Sequence, residues 1–184
     1  MRIGVDIDEV TLDMNTALRA FYKEKYGISL AKEDFKSYDL SQALKCTKEE
    51  ENKIINEFYD SIYFRDMLPV EGAVEGIEQL LARHDELIVL TSRYAKGKNL
   101  TQYQIDKYFY KKFSGIYFTK DSLKKHELCK LHKVEVLIED CIEISIPCAQ
   151  NGTRIILLDY PWNQHEEVNG ITRVKSWKEI IDKM

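Results

Sequence analysis

Short apolar runs recur along the chain, and amphipathic stretches separate most of them. Residues 3 to 7 read Ile-Gly-Val-Asp-Ile. Leu87 to Leu90, Val134 to Ile138 and Ile155 to Leu158 repeat that character, and Gly115 to Phe118 is a weaker run. Runs of this length without polar alternation predict strands buried on both faces. Between them, Ala73, Val74, Ile77, Leu80, Leu81 and His84 share one helical face. Residues 99–112, 124–133 and 141–150 also read as helices, the last one expected to kink or end at Pro147. Ser176 followed by Glu179 has the capping-box spacing that opens a C-terminal helix. Strand and helix in alternation predict an α/β protein with a Rossmann-like, doubly wound parallel sheet.

One block departs from the alternation. After the first strand comes a long segment with helical spacing and no strand signal. Leu18, Phe21, Tyr22 and Tyr26 are spaced as on a helix, with Gly27 as its stop. Thr47 and Glu50 form a second capping box, ahead of Ile54, Ile55, Phe58, Tyr59 and Ile62. The pattern predicts a small all-helical cap over residues 13–69, inserted into a core made of 1–12 and 70–184. Ligands of open parallel sheets bind beyond the carboxyl ends of the strands, so the cap would cover that place.

Composition narrows the class. The 184 residues are 44% hydrophobic, enough for a real core, and 27 basic against 31 acidic residues leave a net charge of -4. That balance argues against a general nucleic-acid or membrane-surface binder. No run approaches the length of a membrane span, and Asp6, Asp8 and Glu9 interrupt any leader-like apolar start. Cys46, Cys129, Cys141 and Cys148 stand at irregular spacings with no Cys-x-x-Cys, as expected for reduced thiols in a cytoplasmic protein. His84, His126, His132 and His165 lack metal-ligand spacing.

The chemistry follows the apolar runs. Asp6-Ile7-Asp8 closes the first, Thr91-Ser92-Arg93 the second and Glu139-Asp140 the fourth, with Lys125 near the start of the intervening helix. In a parallel sheet these residues converge on one edge. Two like charges 4 Å apart at an effective dielectric of about 20 cost roughly 4 kcal/mol. A cluster of carboxylates there is tolerated if a divalent cation occupies it, and hard oxygen donors suit Mg2+. The Thr91 hydroxyl, neighbouring backbone N–H groups and a lysine ammonium are what a phosphate requires. Asp6 then serves as nucleophile, and Asp8 as the acid and base for the leaving group and the hydrolytic water. Lys124 and Lys130 stand close enough in sequence to Lys125 to compete for its role. Arg93 is a candidate substrate contact. Tyr38, in Lys36-Ser37-Tyr38-Asp39, is a candidate for stacking on a base among cap aromatics that otherwise form a core. Trp162 and Asn163, after the last apolar run, are candidates to line the site.

Asp6-x-Asp8-x-Val10, the run ending in Thr91, the lysine, and Glu139-Asp140 resemble the four motifs of the haloacid dehalogenase-like phosphohydrolases, over the whole chain and in order. The opening Asp-Ile-Asp-Glu-Val-Thr-Leu-Asp, the helical block, Leu-Thr-Ser-Arg, Val-Leu-Ile-Glu-Asp and Leu-Leu-Asp-Tyr-Pro-Trp-Asn are similar to the 5′(3′)-deoxyribonucleotidase branch. The resemblance implies Mg2+-dependent hydrolysis of nucleoside monophosphates. It implies Asp6, the backbone carbonyl of Asp8, and Asp140 around the metal with Glu139 beside it, and Thr91, Ser92 and Lys125 on the phosphate. Two positions depart from the family pattern: Glu9 where many members have glycine, and Glu139-Asp140 where some have two aspartates. Rival readings are a phosphatase for a sugar phosphate or other small organophosphate, a receiver-like phosphoacceptor domain, and a dehalogenase. A receiver carries its acceptor aspartate after the third strand, where this chain has Thr119-Lys120-Asp121, and a dehalogenase has no need of Asp8.

Overall fold

The computed structural model describes residues 1–83, 85–93, 97–165 and 167–184. Among these residues six strands form one sheet: β1 (Arg2–Val5), β2 (Glu86–Thr91), β3 (Ile116–Phe118), β4 (Val136–Glu139), β5 (Arg154–Leu158) and β6 (Ile171–Val174). Their order is β3-β2-β1-β4-β5-β6, and every pairing is parallel. The apolar runs work as two-faced strands, because alternate residues enter different cores. Ile3, Val5, Leu87, Val89, Val136, Ile138, Ile156 and Leu158 belong to one buried cluster, and Ile88, Leu90, Leu137, Ile155 and Leu157 to another. Gly4 stands on the second face, where an added Cβ would lie 3.0 Å from Leu90 Cδ1 and 3.2 Å from Leu137 Cδ1.

Helices cover both faces. α5 (Ala73–Ala82), α6 (Lys98–Phe109) and α9 (Trp177–Lys183) bury Ile77, Leu80, Ile105, Phe109, Trp177 and Ile180 in the first cluster. α7 (Lys125–Leu131) and α8 (Ile142–Gln150) bury Cys129, Ile142, Ile144 and Cys148 in the second. Between β1 and α5 lie α1 (Met14–Tyr26), α2 (Leu40–Leu44), α3 (Lys48–Tyr59) and α4 (Ile62–Arg65), with no strand among the described residues there. Gly27, at φ +70°, ends α1 by donating its N–H to Lys23 O. The Thr47–Glu50 box forms in both directions. Phe58 packs edge to face on Phe64 at a centroid distance of 5.4 Å and tilted on Phe21 at 5.6 Å, so aromatics of this segment make much of its core.

Several details differ from the sequence pattern. β6 was not anticipated: Ile-Thr-Arg-Val is a half-exposed edge strand and lacks an apolar run. α2 and α4, at five and four residues, are too short to show a period. α8 runs through Pro147 instead of ending there. Glu143, whose carbonyl loses its partner to the proline, is an exposed residue, so water can reach the freed group. The capping at α9 is shifted: Ser176 accepts from Glu179 N, but the Glu179 carboxylate reaches Lys175 N. His84 lies outside the described residues.

α9 also braces the loop that follows β1. Trp177, 1% exposed, donates Nε1–H to Val10 O at 2.8 Å and packs on Gly76, where a Cβ would run into its ring. Helix propensity alone favours Gly76→Ala by about 1 kcal/mol, but overpacking against an anchored ring costs about 1–3 kcal/mol. Gly76→Ala should therefore lower the urea midpoint. A raised midpoint would show that Trp177 is free to move.

Candidate active site

The loop from Asp6 to Leu12 is wound around one carbonyl. Ile7 O accepts the backbone N–H of Val10, Thr11 and Leu12 and the Thr11 hydroxyl, at 2.8–3.3 Å. The winding places Glu9 at φ +61°, where a glycine would be unstrained. Three contacts hold Glu9 there. Its N–H donates to Leu12 O, its carbonyl accepts from the Tyr160 hydroxyl at 2.9 Å, and its carboxylate accepts the Asn15 N–H at the start of α1. Burial first, then the charge of Asp13, pushes the Glu9 carboxyl up to about 8.

At the strand ends, Asp6, Glu139 and Asp140 are buried, with one carboxylate oxygen of each within 4.8 Å of the others. Lys125, 1% exposed, sits at the first position of α7 and donates Nζ–H to Asp6 Oδ1 at 2.6 Å and to Glu139 Oε2 at 2.8 Å. Asp140 receives the Trp162 indole N–H at 2.9 Å, and its carbonyl accepts from Asn163 Nδ2 at 2.6 Å. Burial raises the Asp6 carboxyl to about 7 against the pull of Lys125, with Glu139 and Asp8 adding to the rise. Asp140 is pushed well above the carboxylate range by burial and by the charges of Glu139, Asp6 and Glu9. Burial alone would lower Lys125, but the charges of Asp6 and Glu139 hold it above its ordinary value.

Three carboxylates thus face one ammonium and one neutral N–H. The set is short of positive charge, its donors are all hard oxygens, and burial with mutual repulsion raises Asp6 and Asp140. Those features fit a divalent cation. Lys125 is the lysine that reaches the carboxylates, whereas Lys124 and Lys130 are exposed. Asp8 stands apart from the trio, its carboxylate gripped by Arg93.

These groups line a cavity of about 410 Å3. Thr91 is buried, and its hydroxyl accepts the Arg93 N–H at 3.2 Å. The Ser92 hydroxyl is buried with no partner among the described residues, on the cavity wall. The opposite wall comes from α1–α4 and their loops, including Asn15, Phe35, Tyr38 and Tyr59. Tyr38 keeps 53% of its surface open, yet desolvation of its hydroxyl and the charges of Asp140 and Asp6 raise the phenol well above its ordinary value.

A family model described as 5′ nucleotidase, deoxy (pyrimidine), cytosolic type C protein matches residues 1–184. The chain belongs to this family. Among individual relatives, it is 26% identical over 182 residues to a provisionally named nucleotidase of Halalkalibacterium halodurans, covering 97% of this chain and 89% of that one. It is 25% identical over 189 residues to another from Bacillus subtilis, covering 100% and 93%. A haloacid dehalogenase-like hydrolase from Streptococcus pneumoniae shares the fold at a TM-score of 0.71 and 15% identity, over 99% of this chain and 97% of that one. CbbY from Rhodobacter sphaeroides, solved with phosphate, does so at 0.64 and 14%, over 97% and 95%.

As a member of the nucleotidase family, the chain is a haloacid dehalogenase-like phosphatase that acts on small phosphate esters. That sets aside the receiver-domain alternative. Among the described residues no helix is long and apolar enough to cross a membrane, and all four cysteines are free. The motifs and spacing of the sequence do not mark Gln104, Thr101 or Asn15. The first two are polar residues on the buried face of α6, and a polar pair on an inward helical stripe is the signal that would have found them.

A carboxyl raised in the folded state binds its proton there more tightly than in the unfolded chain. Its contribution to stability is full at low pH and declines as pH rises through the folded value. Glu9→Gln in the presence of chelator should therefore match the parent near pH 5. It should gain in relative melting temperature as pH rises and level off above about 8, the value set for Glu9. A gap independent of pH would show that Glu9 ionises normally.

Proposed function

We propose that the chain is a Mg2+-dependent phosphomonoesterase that hydrolyses nucleoside monophosphates, deoxyribonucleotides preferred, through an aspartyl phosphate. The observation that carries this reading is the meeting of Asp6, Lys125, Glu139 and Asp140 beside the unpartnered Ser92 hydroxyl, on the floor of a cavity with aromatic residues on its far wall. Asp6, Glu139 and Asp140, with the backbone carbonyl of Asp8, would hold the cation. When bound, it would supply positive charge against the phosphoryl oxygens.

The chain's own groups divide the remaining work. Asp6 Oδ attacks phosphorus, forming the acyl phosphate bond as the ester P–O bond breaks. Asp8 gives a proton to the departing alkoxide. A water then attacks the phosphorus, Asp8 takes its proton, and Asp6 leaves as carboxylate with inorganic phosphate as product. Lys125, Thr91 and Ser92 bind the phosphoryl oxygens, and backbone and ammonium donors there act on charge that grows in the transition state. These groups read only phosphate. Choice of ester falls to the segment 13–69, which we take as a cap subdomain on the core of 1–12 and 70–184. Tyr38 is exposed enough to stack on a base, a contact worth about 1–3 kcal/mol.

A hydrolysis screen over nucleoside monophosphates and sugar phosphates tests the proposal. Phosphate release from deoxyribonucleotides, abolished by chelator and restored by Mg2+, is expected. Preferred turnover of a sugar phosphate would replace the substrate while keeping the chemistry. Asp6→Asn should reduce turnover by about a thousandfold or more with the fold retained by circular dichroism. A near-parental rate would remove Asp6 as nucleophile. Tyr38→Ala should raise KM for nucleotides roughly tenfold and leave hydrolysis of an aryl phosphate unchanged. An equal loss on both would make Tyr38 structural.

A further inference from the structure

Arg93 follows the phosphate-binding pair Thr91-Ser92 and is 7% exposed. The sequence marks it as a substrate contact, but its donors are already engaged. Nε donates to Asp8 Oδ2 at 2.8 Å and Nη2 to Asp8 Oδ1 at 2.5 Å, a two-pronged grip on both oxygens of one carboxylate. Nη1 donates to Gln104 Oε1 at 2.6 Å and to Thr101 Oγ1 at 3.5 Å. Gln104, 1% exposed on α6, turns its amide N–H groups to the carbonyls of Phe64 and Arg65, at the end of α4. The guanidinium also lies over the Phe64 ring, 4.8 Å from its centroid. An unbroken polar chain thus runs from the last helix of the 13–69 segment, through α6 and Arg93, to Asp8.

We infer that Arg93 is a positioning residue. Its fork sets the direction of the Asp8 carboxylate, and Gln104 ties that fork to the place of the helical segment at Phe64. The inference rests on the reading of Asp8 as acid and base. Asp8 sits in a loop with 20% of its side chain exposed, and among the described residues Arg93 is the side chain that donates to its oxygens. Misplacing a proton donor by an ångström costs large factors in rate. A carbonyl of α4 at the far end of the chain makes that placement depend on the segment being seated. Lysine, a point donor without a fork, cannot reproduce the two-oxygen grip.

The test is the dependence of kcat/KM on the leaving group. This ratio reports the step that expels the leaving group, and only a basic leaving group needs a proton. Phenyl phosphate, 4-nitrophenyl phosphate and a nucleoside monophosphate are compared with Mg2+ for the parent, Arg93→Met, Arg93→Lys and Gln104→Met. Arg93→Met should lose about 10- to 100-fold on phenyl phosphate and less than about threefold on 4-nitrophenyl phosphate. Arg93→Lys should remain impaired in the same selective way. Gln104→Met, which does not touch Asp8, should show the same pattern at roughly threefold. Equal losses on both aryl esters would overturn the inference, because a substrate contact or a general structural defect predicts that result. If Arg93→Met fails to fold, the other two variants decide the question. A parent that hydrolyses aryl phosphates but no nucleotide overturns the substrate named above and leaves this comparison intact. A parent that hydrolyses neither overturns both.

Discussion

The buried ammonium of Lys125 holds the site together. It joins the end of β1, through Asp6, to the end of β4, through Glu139, and it does so from the first turn of α7. Taking such ions out of water costs several kcal/mol each, even after relaxation. Replacing a buried ion pair with apolar residues is often neutral or stabilising, so stability does not explain this one. Breaking it is different: an unpartnered buried carboxylate costs about 3–5 kcal/mol. The sheet core, with Val5, Ile138 and Val89 fully buried, carries this costly polar group at its edge. The cost falls where the chemistry needs a concentrated charge.

The carboxylates of the site have different partners. Asp6 and Asp140 are raised, while Asp8, a few residues along, is held by a guanidinium of its own. Asp8 therefore has a cationic partner distinct from Lys125, although its charge still adds to the rise at Asp6. Trp162 contributes on the other side. It donates to Asp140 while its ring stacks on Tyr160 at 4.5 Å, and the Tyr160 hydroxyl in turn fastens Glu9 in its left-handed conformation. The strained loop after β1 and the acid after β4 are therefore supported by one short segment following β5.

The sheet and the carboxylates were legible in the sequence for a common reason. A two-faced parallel strand must be apolar throughout, so Asp6, Thr91 and Glu139 stand out where each run stops. Lys125 could be separated from Lys124 and Lys130 only in three dimensions, because burial and not spacing distinguishes it. β6 was hidden by its edge position, which permits Thr172 and Arg173. The role of Arg93 was illegible because its partner lies 85 positions away and its brace, Gln104, is an ordinary helical residue until α4 is placed beside it. Glu9 looked like a poor substitute for glycine. The structure shows a carboxyl engaged by Asn15, so the loop exchanges conformational freedom for an added tie to α1.

The division between floor and far wall sets how specificity can arise. The floor is built from strand ends within one sheet, and in the proposed function its groups read only the phosphate of the ester. The wall is built from helices whose own core is largely aromatic, and polar contacts join it to the sheet core, Lys107 to Asp66 among them. Lys32 reaches across to the Tyr160 ring at 4.1 Å, and Gln104 reaches the carbonyls of Phe64 and Arg65. These two bridges end on residues that also support the loop after β1: Tyr160 holds Glu9, and Gln104 holds Arg93. A change of seat in the wall therefore cannot leave the floor untouched. In such an architecture an ester that fits the wall poorly binds less well and also finds the acid–base group less well aimed. Selectivity can then exceed what the wall contacts alone would supply.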